Sequence, residues 1–591
     1  MQNGDTLCNV LHIDLAKRTS WVEDRADLFE KYIGGAGVAA ELLHEECPKG
    51  ADPLGPDNPI ILAVGPLVGL YPLASKTVAM FKSPHTGNLG ESHAGGRSAV
   101  AIRLAGYGAI VIKGASTSPI YLAVHGGKAQ FKDASALWGI RSSYTAGRVI
   151  RERESGAGHR TIMRIGRAGE RLLPYSCVTT ETYRHFGRLG LGAVFGSKKL
   201  KALVVSGNRS LPVTDKKAYR ATYEEIYEAA VHSELMKKYH DLGTAGNILP
   251  LNKLQGLPTR NLKAASFEKA DAISGEALAE HYLGRRIACS HCPVGCIHLA
   301  ALREPSEHEP YFYKTSMICY DYELIYALGT LLGGSDVSGL LRLIDLIETY
   351  GLDAMSTGVV LAWATEAMEQ GLIPEKETSG VALAWGDYPA YMQAIERIVD
   401  QATEFYRALG MGVDHASAKY GGEEFALAFG GNEMPGYHTG PAAHLNYLTG
   451  ARHSHLDSGG YSLDQKALAD GKTLDPKETA EALLKEERWR QILSSLVVCF
   501  FARGIYKEAV VLKALQTAGF DLSEEDLARI STQILARKYA FKRREGFSLD
   551  DLRIPQRILE TPARGGAVSE EFLRQAMASF GEAVESTEDA S

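Results

Sequence analysis

Cysteine is scarce, with eight in 591 residues, too few for the disulfide framework of a secreted scaffold. Long apolar runs are missing too. The longest, such as 60–68 with Gly65 and Pro66 inside it, fall far short of the roughly 20 residues a membrane helix needs. There is no basic excess: 64 Lys and Arg stand against 71 Asp and Glu, a net charge of −7. That balance argues against nucleic acid or anionic lipid as a partner. Met1-Gln2-Asn3-Gly4-Asp5 has no basic segment leading into an apolar core, so no export signal is read and a cytoplasmic location is expected. No internal repeat is found. No Gly-x-Gly-x-x-Gly follows a predicted strand into a helix, which argues against NAD or flavin on this chain. What remains, 45% hydrophobic and 23% charged residues, is ordinary globular composition, with length enough for about three or four domains.

Glycine is the excess: 61 of 591, about 10% against a usual figure near 7%. Many lie in runs, at Gly34-Gly35, Gly95-Gly96, Gly187 through Gly196, Gly333-Gly334 and Gly459-Gly460. Loops account for such runs, and so does a large buried ligand touched by main chain. The first ~210 residues read as β-rich, with β-branched runs at 7–14, 59–64, 77–81, 109–113, 120–124, 161–165 and 202–205. Helical intervals at 38–46 and 144–155 interrupt them. After Leu211-Pro212 helix patterns dominate, at 216–239, 337–350, 359–370, 389–409, 478–498, 507–517, 524–540 and 570–580, and 582–591 reads as an acidic tail with nothing to bury. The expected class is α+β: a β-rich, double-sheet domain over 1–212, then two mainly helical domains over 213–420 and 421–591.

The sharpest local signal is Cys289-Ser290-His291-Cys292-Pro293-Val294-Gly295-Cys296. Three thiols spaced by two and then three residues, with Pro and Gly between, wrap a tight loop that suits a [4Fe–4S] cluster. The spacing also admits zinc, with His291 or His298 as fourth ligand, and three inert thiols. No fourth cysteine follows nearby; Cys8, Cys47, Cys177, Cys319 and Cys499 remain.

This loop resembles that of the aldehyde ferredoxin oxidoreductases, tungsten enzymes with two pyranopterins. The resemblance covers most of the chain. It includes Tyr32-Ile33-Gly34-Gly35-Ala36-Gly37, Pro53-Leu54-Gly55-Pro56-Asp57-Asn58, Gly65-Pro66-Leu67-Val68-Gly69 and Lys82-Ser83-Pro84-His85-Thr86-Gly87. It continues through Leu104–Val111, Ile165-Gly166-Arg167-Ala168-Gly169-Glu170, Gly187–Lys198, Gly351-Leu352-Asp353 and Leu496-Val497-Val498-Cys499. By position it implies a cluster on Cys289, Cys292, Cys296 and Cys499, and tungsten, or molybdenum, held by pterin sulfurs alone. It places the pterins between the β domain and the helical domains, with a magnesium ion bridging their phosphates. Lys76, His93, Gly95, Gly96, Arg184, His185, Gly187 and Arg188 would meet them from the β side, where bare amides and guanidinium forks suit anions. Glu348, Leu352, Asp353 and Phe500 would meet them from the helical side. The implied partners are a small aldehyde and ferredoxin or a small iron–sulfur subunit.

The sequence departs from the family pattern at several points. Lys76 stands where Arg is frequent, keeping charge but losing the fork, and His93 stands where Asn is usual. Glu348 replaces an Asp, and Ser494 and Val497 replace an Asp and a Gly.

For the chemistry, the resemblance implies Glu323 in Tyr322-Glu323-Leu324-Ile325-Tyr326 and His453 in Gly450-Ala451-Arg452-His453-Ser454-His455. A carboxylate among Leu, Ile and Tyr has its acidity lowered by desolvation, which suits an acid or base; by its residues alone Glu323 also reads as a helix-surface side chain. If 450–455 is extended, His453 and His455 share a side, and a small metal site with His438 or His444 is a further reading. Tyr320, Tyr322 and Tyr326 could shape an aromatic pocket or belong to the core. Two rival functions are a benzoyl-CoA-reductase-like dearomatising enzyme and a zinc-stabilised scaffold. The first tends to carry a cysteine soon after the Gly-Leu-Asp loop, where Ala354-Met355-Ser356 has none.

Overall fold

The computed structural model describes residues 4–588 other than 126, 155, 157, 182, 307, 308 and 310, and the side chains of 587 and 588 are not among those described. Residues 1–3 of the segment read for an export signal, Ser155 of the 144–155 interval and 589–591 of the tail lie outside them.

The β-rich half holds two mixed six-stranded sheets. The first comprises β1 (Asn9–Asp14), β2 (Thr19–Asp24), β3 (Ile60–Ala63), β4 (Thr77–Lys82), β5 (Leu89–Ala94) and β6 (Ala109–Lys113), in the order β2-β1-β6-β3-β4-β5. The second comprises β7 (Ile120–His125), β8 (Lys128–Asp133), β9 (His159–Ile165), β10 (Val178–Thr179), β11 (His185–Phe186) and β12 (Leu200–Gly207), in the order β11-β10-β9-β12-β7-β8. Among the described residues, only β1–β6 and β7–β12 pair in parallel. The double-sheet expectation holds. Of the strands absent from the sequence reading, β2 is exposed throughout, β8 is mostly solvated and β5 carries Glu91, Ser92 and His93, while β10 and β11 are two residues long and too short to show a pattern. A strand bearing polar groups into a buried seam does not show the alternation of a half-buried one.

From Lys216 the chain is mainly helical. The helix Val337–Tyr350 starts where Asp336 accepts from Ser338 N–H and Gly339 N–H, and stops at Gly351 with φ 75°. The 359–370 helix begins earlier, at Ala354, because Asp353 caps it. The 216–239 stretch breaks at Ser233, which caps a second helix, Glu234–Leu242. The last helix runs over Glu570–Glu588 with Val584 buried, so the acidic tail does have something to bury. A three-stranded antiparallel sheet also lies in this half: β13 (Leu283–Ile287), β14 (Ile297–Pro305) and β15 (Tyr313–Tyr320). The cysteine loop is the connection between β13 and β14. No helix among the described residues is long and apolar enough to cross a membrane.

Candidate functional site

The cysteine loop is tied to the β-rich half by main-chain bonds. Ser290 N–H donates to Gly96 O (2.9 Å), and Leu73 N–H donates to His291 O (3.1 Å). Leu73 O accepts from Cys499 N–H (2.9 Å), next to an antiparallel bridge between Ala74 and Val498. Cys289, Cys292, Cys296 and Cys499 are thereby drawn to one seam, all half-buried, while Cys8, Cys47, Cys177 and Cys319 are buried. Burial raises the Cys292 thiol, and the charges of Cys499, Cys289 and Cys296 raise it further. Cys296 is pushed up to about 11 by burial, with Arg184 and Lys76 pulling the other way. A Cβ at Gly95 would lie 2.9 Å from Cys289 Sγ and 3.3 Å from Lys76 Nζ. The backbone of Gly95 therefore touches the sulfur seam where no side chain fits.

Of the two imidazoles offered for zinc, His298 is already engaged. His298 uses both ring nitrogens, on His240 O (2.9 Å) and the Tyr320 hydroxyl (3.3 Å). The His291 ring lies edge-on to His159, with centroids 6.4 Å apart. Among the described residues no three His, Cys, Asp or Glu side chains gather around a single-ion position.

Glu323 sits in a short helix, Tyr322–Ile325, that continues into a π-turn over Tyr326–Thr330, a backbone irregularity frequent at functional sites. Asp321 caps this helix, accepting from Leu324 N–H (3.2 Å), and its other oxygen faces Arg184 at 3.8 Å. Arg184 in turn feels the charges of Cys319, Cys296 and Cys289, so one guanidinium links the sulfur seam to the element carrying Glu323. Burial, then the nearby Asp321 charge, lifts the Glu323 carboxyl to about 8; Gly436 N–H, donating to its Oε2 (3.2 Å), and Arg188 moderate the rise.

The imidazole beside Glu323 is His455, with Nε2 3.4 Å from Glu323 Oε1. His453 is elsewhere. Its Nδ1 meets Tyr447 O (2.8 Å), its Nε2 meets Lys542 Nζ (3.0 Å), and its ring packs onto Gly430. The expected pairing of Glu323 with His453 is thus corrected to Glu323 with His455. The segment is a tight turn, not a strand: Asp457 accepts from Arg452 N–H (3.1 Å) and Ser454 N–H (2.9 Å), Asn446 donates to Ser454 O (2.7 Å), and His453 has φ 53°. The two rings part, and alternation does not apply. Burial, then Arg188, Arg490 and Arg452, lowers His455 to about 3, so its ring is neutral. The shared-metal reading fails as well, since His438 spends its ring on His444 (2.8 Å) and Thr561 O (2.8 Å).

Tyr437 lies against His455 (ring centroids 5.1 Å) and stacks on Tyr461 (4.3 Å). These two, unmarked in the sequence, form the aromatic wall. Tyr322 and Tyr326 brace Gly436 O and Met434 O from behind, and Tyr320 turns toward His298.

Several of the residues expected at the pterins are bonded across the two halves of the chain. Gly351 O accepts from Cys177 N–H (2.9 Å), Leu352 forms a bridge with Ser176, and Asp353 N–H donates to Tyr175 O (2.9 Å). His185 Nε2 meets Glu348 Oε2 (2.8 Å), which also accepts from the Tyr144 hydroxyl (2.9 Å). Arg188 is held by Asp353 Oδ2 (3.3 Å) and Glu433 O (2.7 Å). Glu433, missed in the sequence, is the hub: it accepts from Ser356 (2.7 Å), pairs with His85 (2.8 Å), and is held at about 2 against the pull of burial. His93 is bonded to Glu91 (2.7 Å), whose other oxygen pairs with Lys538 (2.5 Å), and its ring lies 6.4 Å from Phe500. A Cβ at Gly187 meets nothing within 4 Å.

Many of the other glycines serve close approach of chain to chain. A Cβ at Gly65 would lie 2.5 Å from Ser495 O and 2.8 Å from Leu496 C, at the root of the Cys499 loop. Gly65→Ala is expected to push that loop outward, at an overpacking cost of about 1–3 kcal/mol. Iron content and melting temperature measured together check this, and both should fall.

Two family models match the chain: the aldehyde ferredoxin oxidoreductase N-terminal domain over residues 10–207, and domains 2 and 3 of the same family over residues 221–585. The chain belongs to the aldehyde ferredoxin oxidoreductase family. It is 31% identical over 572 residues to the tungsten-containing aldehyde ferredoxin oxidoreductase of Thermococcus kodakarensis, covering 94% of this chain and 92% of that one. It is 29% identical over 408 residues to the WOR-like subunit of an aliphatic sulfonate oxidoreductase of Pyrococcus furiosus, covering 66% of this chain and 64% of that one. In structure it is similar to the active-site complex BamBC of benzoyl coenzyme A reductase, solved with 1,5-dienoyl-CoA, at a TM-score of 0.81, covering 99% of this chain and 95% of that one. At 20% identity that likeness shows a shared fold.

An aldehyde ferredoxin oxidoreductase family member is an oxidoreductase for which a tungsten pyranopterin and an iron–sulfur cluster are implied. The residues fit both groups. Soft thiols converge beside two cations on a bare glycine backbone. Buried Arg188 Nη1, Glu323 Oε1 and His455 Nδ1 have no hydrogen-bond partner among the described residues, a costly arrangement unless a ligand completes it.

Proposed function

We propose that the chain oxidises small aldehydes to carboxylic acids and sends the electrons through one [4Fe–4S] cluster on Cys289, Cys292, Cys296 and Cys499 to ferredoxin or a small iron–sulfur subunit. Lys76, His93, Gly95, Gly96, Arg184, His185, Gly187 and Arg188 would hold a bis-pyranopterin from one side, with magnesium at its phosphates. Glu348, Leu352, Asp353 and Phe500 would hold it from the other. This reading divides the chain into domains over 1–212, 213–420 and 421–591.

The observation that carries the reading is the half-buried Glu323 with the buried His455 3.4 Å away, on an element joined through Asp321 and Arg184 to the sulfur seam. Oxidation of RCHO with H2O to RCOOH releases two protons and two electrons. When bound, the tungsten pyranopterin accepts the electrons. Glu323, as carboxylate, takes the proton of the attacking water, and the neutral His455 ring, with Nε2 3.4 Å from Glu323 Oε1, packs beside that oxygen and confines it. Tyr437 and Tyr461 exclude bulk water on the imidazole side. Arg188 keeps positive charge close to both groups. The dearomatising alternative is weakened at Ser356, which bonds Asp353 and Glu433 in the stretch where a cysteine would be expected.

The test is aldehyde-dependent reduction of a viologen by the tungsten-loaded protein, with the carboxylate product measured. Turnover with no NAD reduction by the isolated chain is expected. A fully metallated protein inert toward a panel of aldehydes would overturn the reading.

A further inference from the structure

The sulfur seam reaches the surface on one side, and there the chemistry changes sign. A cleft of about 600 Å³ is lined by Arg97, Arg151, His159, Arg160, Glu181 and Ser290. Ser290 lies between two of the candidate cluster cysteines and is tied to Gly96, while His159 touches the exposed His291 ring of the same loop. Arg97, Arg151 and His159 are exposed, and Arg160 is half-buried. The one carboxylate of the cleft is turned inward: Glu181 Oε2 accepts from Ile162 N–H (2.9 Å) and the Thr161 hydroxyl (3.1 Å). A chain of net charge −7 thus gathers cations at the place where electrons would leave it.

We propose that this cleft is the docking face for an acidic electron-carrier protein, an inference that rests on the electron-transfer reading above. Three arguments favour a protein over a small anion. A small-ligand site encloses its ligand, whereas most of these cations stand at the surface. Electron-transfer encounters are small and transient, and a cluster of like charge steers such a partner and fixes its orientation more than it adds affinity. The net charge of −7 gives an acidic partner no general attraction to the chain, so a local group of cations beside the cluster loop favours an approach that shortens the path to it.

The experiment uses the metallated full chain and an acidic [4Fe–4S] ferredoxin, with binding measured by interferometry at low and high salt. In parallel, aldehyde oxidation is measured with a viologen, a small cationic dye that needs no docking face. Arg151→Glu with Arg160→Glu is expected to weaken ferredoxin binding by at least about tenfold at low salt, as rim charges do, and to flatten its salt dependence. Viologen turnover and metal content should be unchanged. Arg151→Gln, on an exposed helix position, gives a milder loss of the same kind and covers the case in which the double reversal perturbs folding. Unchanged ferredoxin affinity and salt slope in these variants would overturn the proposal. So would inorganic phosphate or ATP binding the cleft tightly while ferredoxin binds elsewhere. Ferredoxin binding that follows the charges in a protein inert to aldehydes would sink the substrate reading and leave the docking face standing.

Discussion

Glu323→Gln should lower kcat by about 10²–10⁴-fold, the usual range for a lost acid–base group, with KM and tungsten content little changed. The amide preserves shape and the contact with Gly436 N–H on one side but cannot take a proton. Because burial lifts the carboxyl to about 8, the carboxylate is a minority species at neutral pH, and the base form grows as pH rises. The kcat/KM of the unmodified enzyme should therefore climb toward pH 8 and level beyond it, and this limb should vanish in Glu323→Gln. His455→Ala should also reduce kcat, and the double variant should lose far less than the product of the two, since groups acting as a unit are non-additive. His453→Ala separates the two histidines. It leaves the buried Lys542 without its imidazole partner, so it should lower the melting temperature while the metallated fraction keeps its turnover. Viologen-coupled aldehyde oxidation, normalised to tungsten, checks all four; near-normal kcat in Glu323→Gln would remove the carboxylate from the mechanism.

Cys499→Ala should abolish or convert the cluster. Its backbone N–H holds Leu73 O, and alanine keeps that bond, so the substitution removes the sulfur and little else. Three thiols leave one iron of a four-iron cluster without a protein ligand. Iron per chain should fall, and the broad absorption near 400 nm that bleaches with dithionite should weaken or disappear. Cys319→Ala, at a buried cysteine outside the proposed ligand set, is the control and should keep its iron. An unchanged iron content and reduced-state EPR signal in Cys499→Ala would return this residue to the core.

Much of the architecture was legible. Strands with a β-branched pattern and helices with an apolar stripe fell where periodicity placed them, as at Val337–Tyr350, because those elements are specified by which face must be buried. The strand β5 was not legible. Its Glu91 is buried against Lys538, a partner from the far end of the chain that no local window contains. The 450–455 segment failed for a related reason: His-x-His reads as alternation only if the backbone is extended, and Asp457 with Asn446 folds it into a turn.

The sequence by itself determined the class of the protein, its sheet-then-helix order and the residue types of its chemistry, since composition, periodicity and motif spacing are local properties. Tertiary structure alone decided which groups meet. It chose His455 over His453 for Glu323, made Glu433 the anchor of Arg188, brought the Cys499 loop to the Cys289–Cys296 loop across glycine backbones, and gathered Arg97, Arg151 and Arg160 beside it. Each of these is a contact between distant segments, whose geometry depends on how the elements pack and on the charges that packing buries.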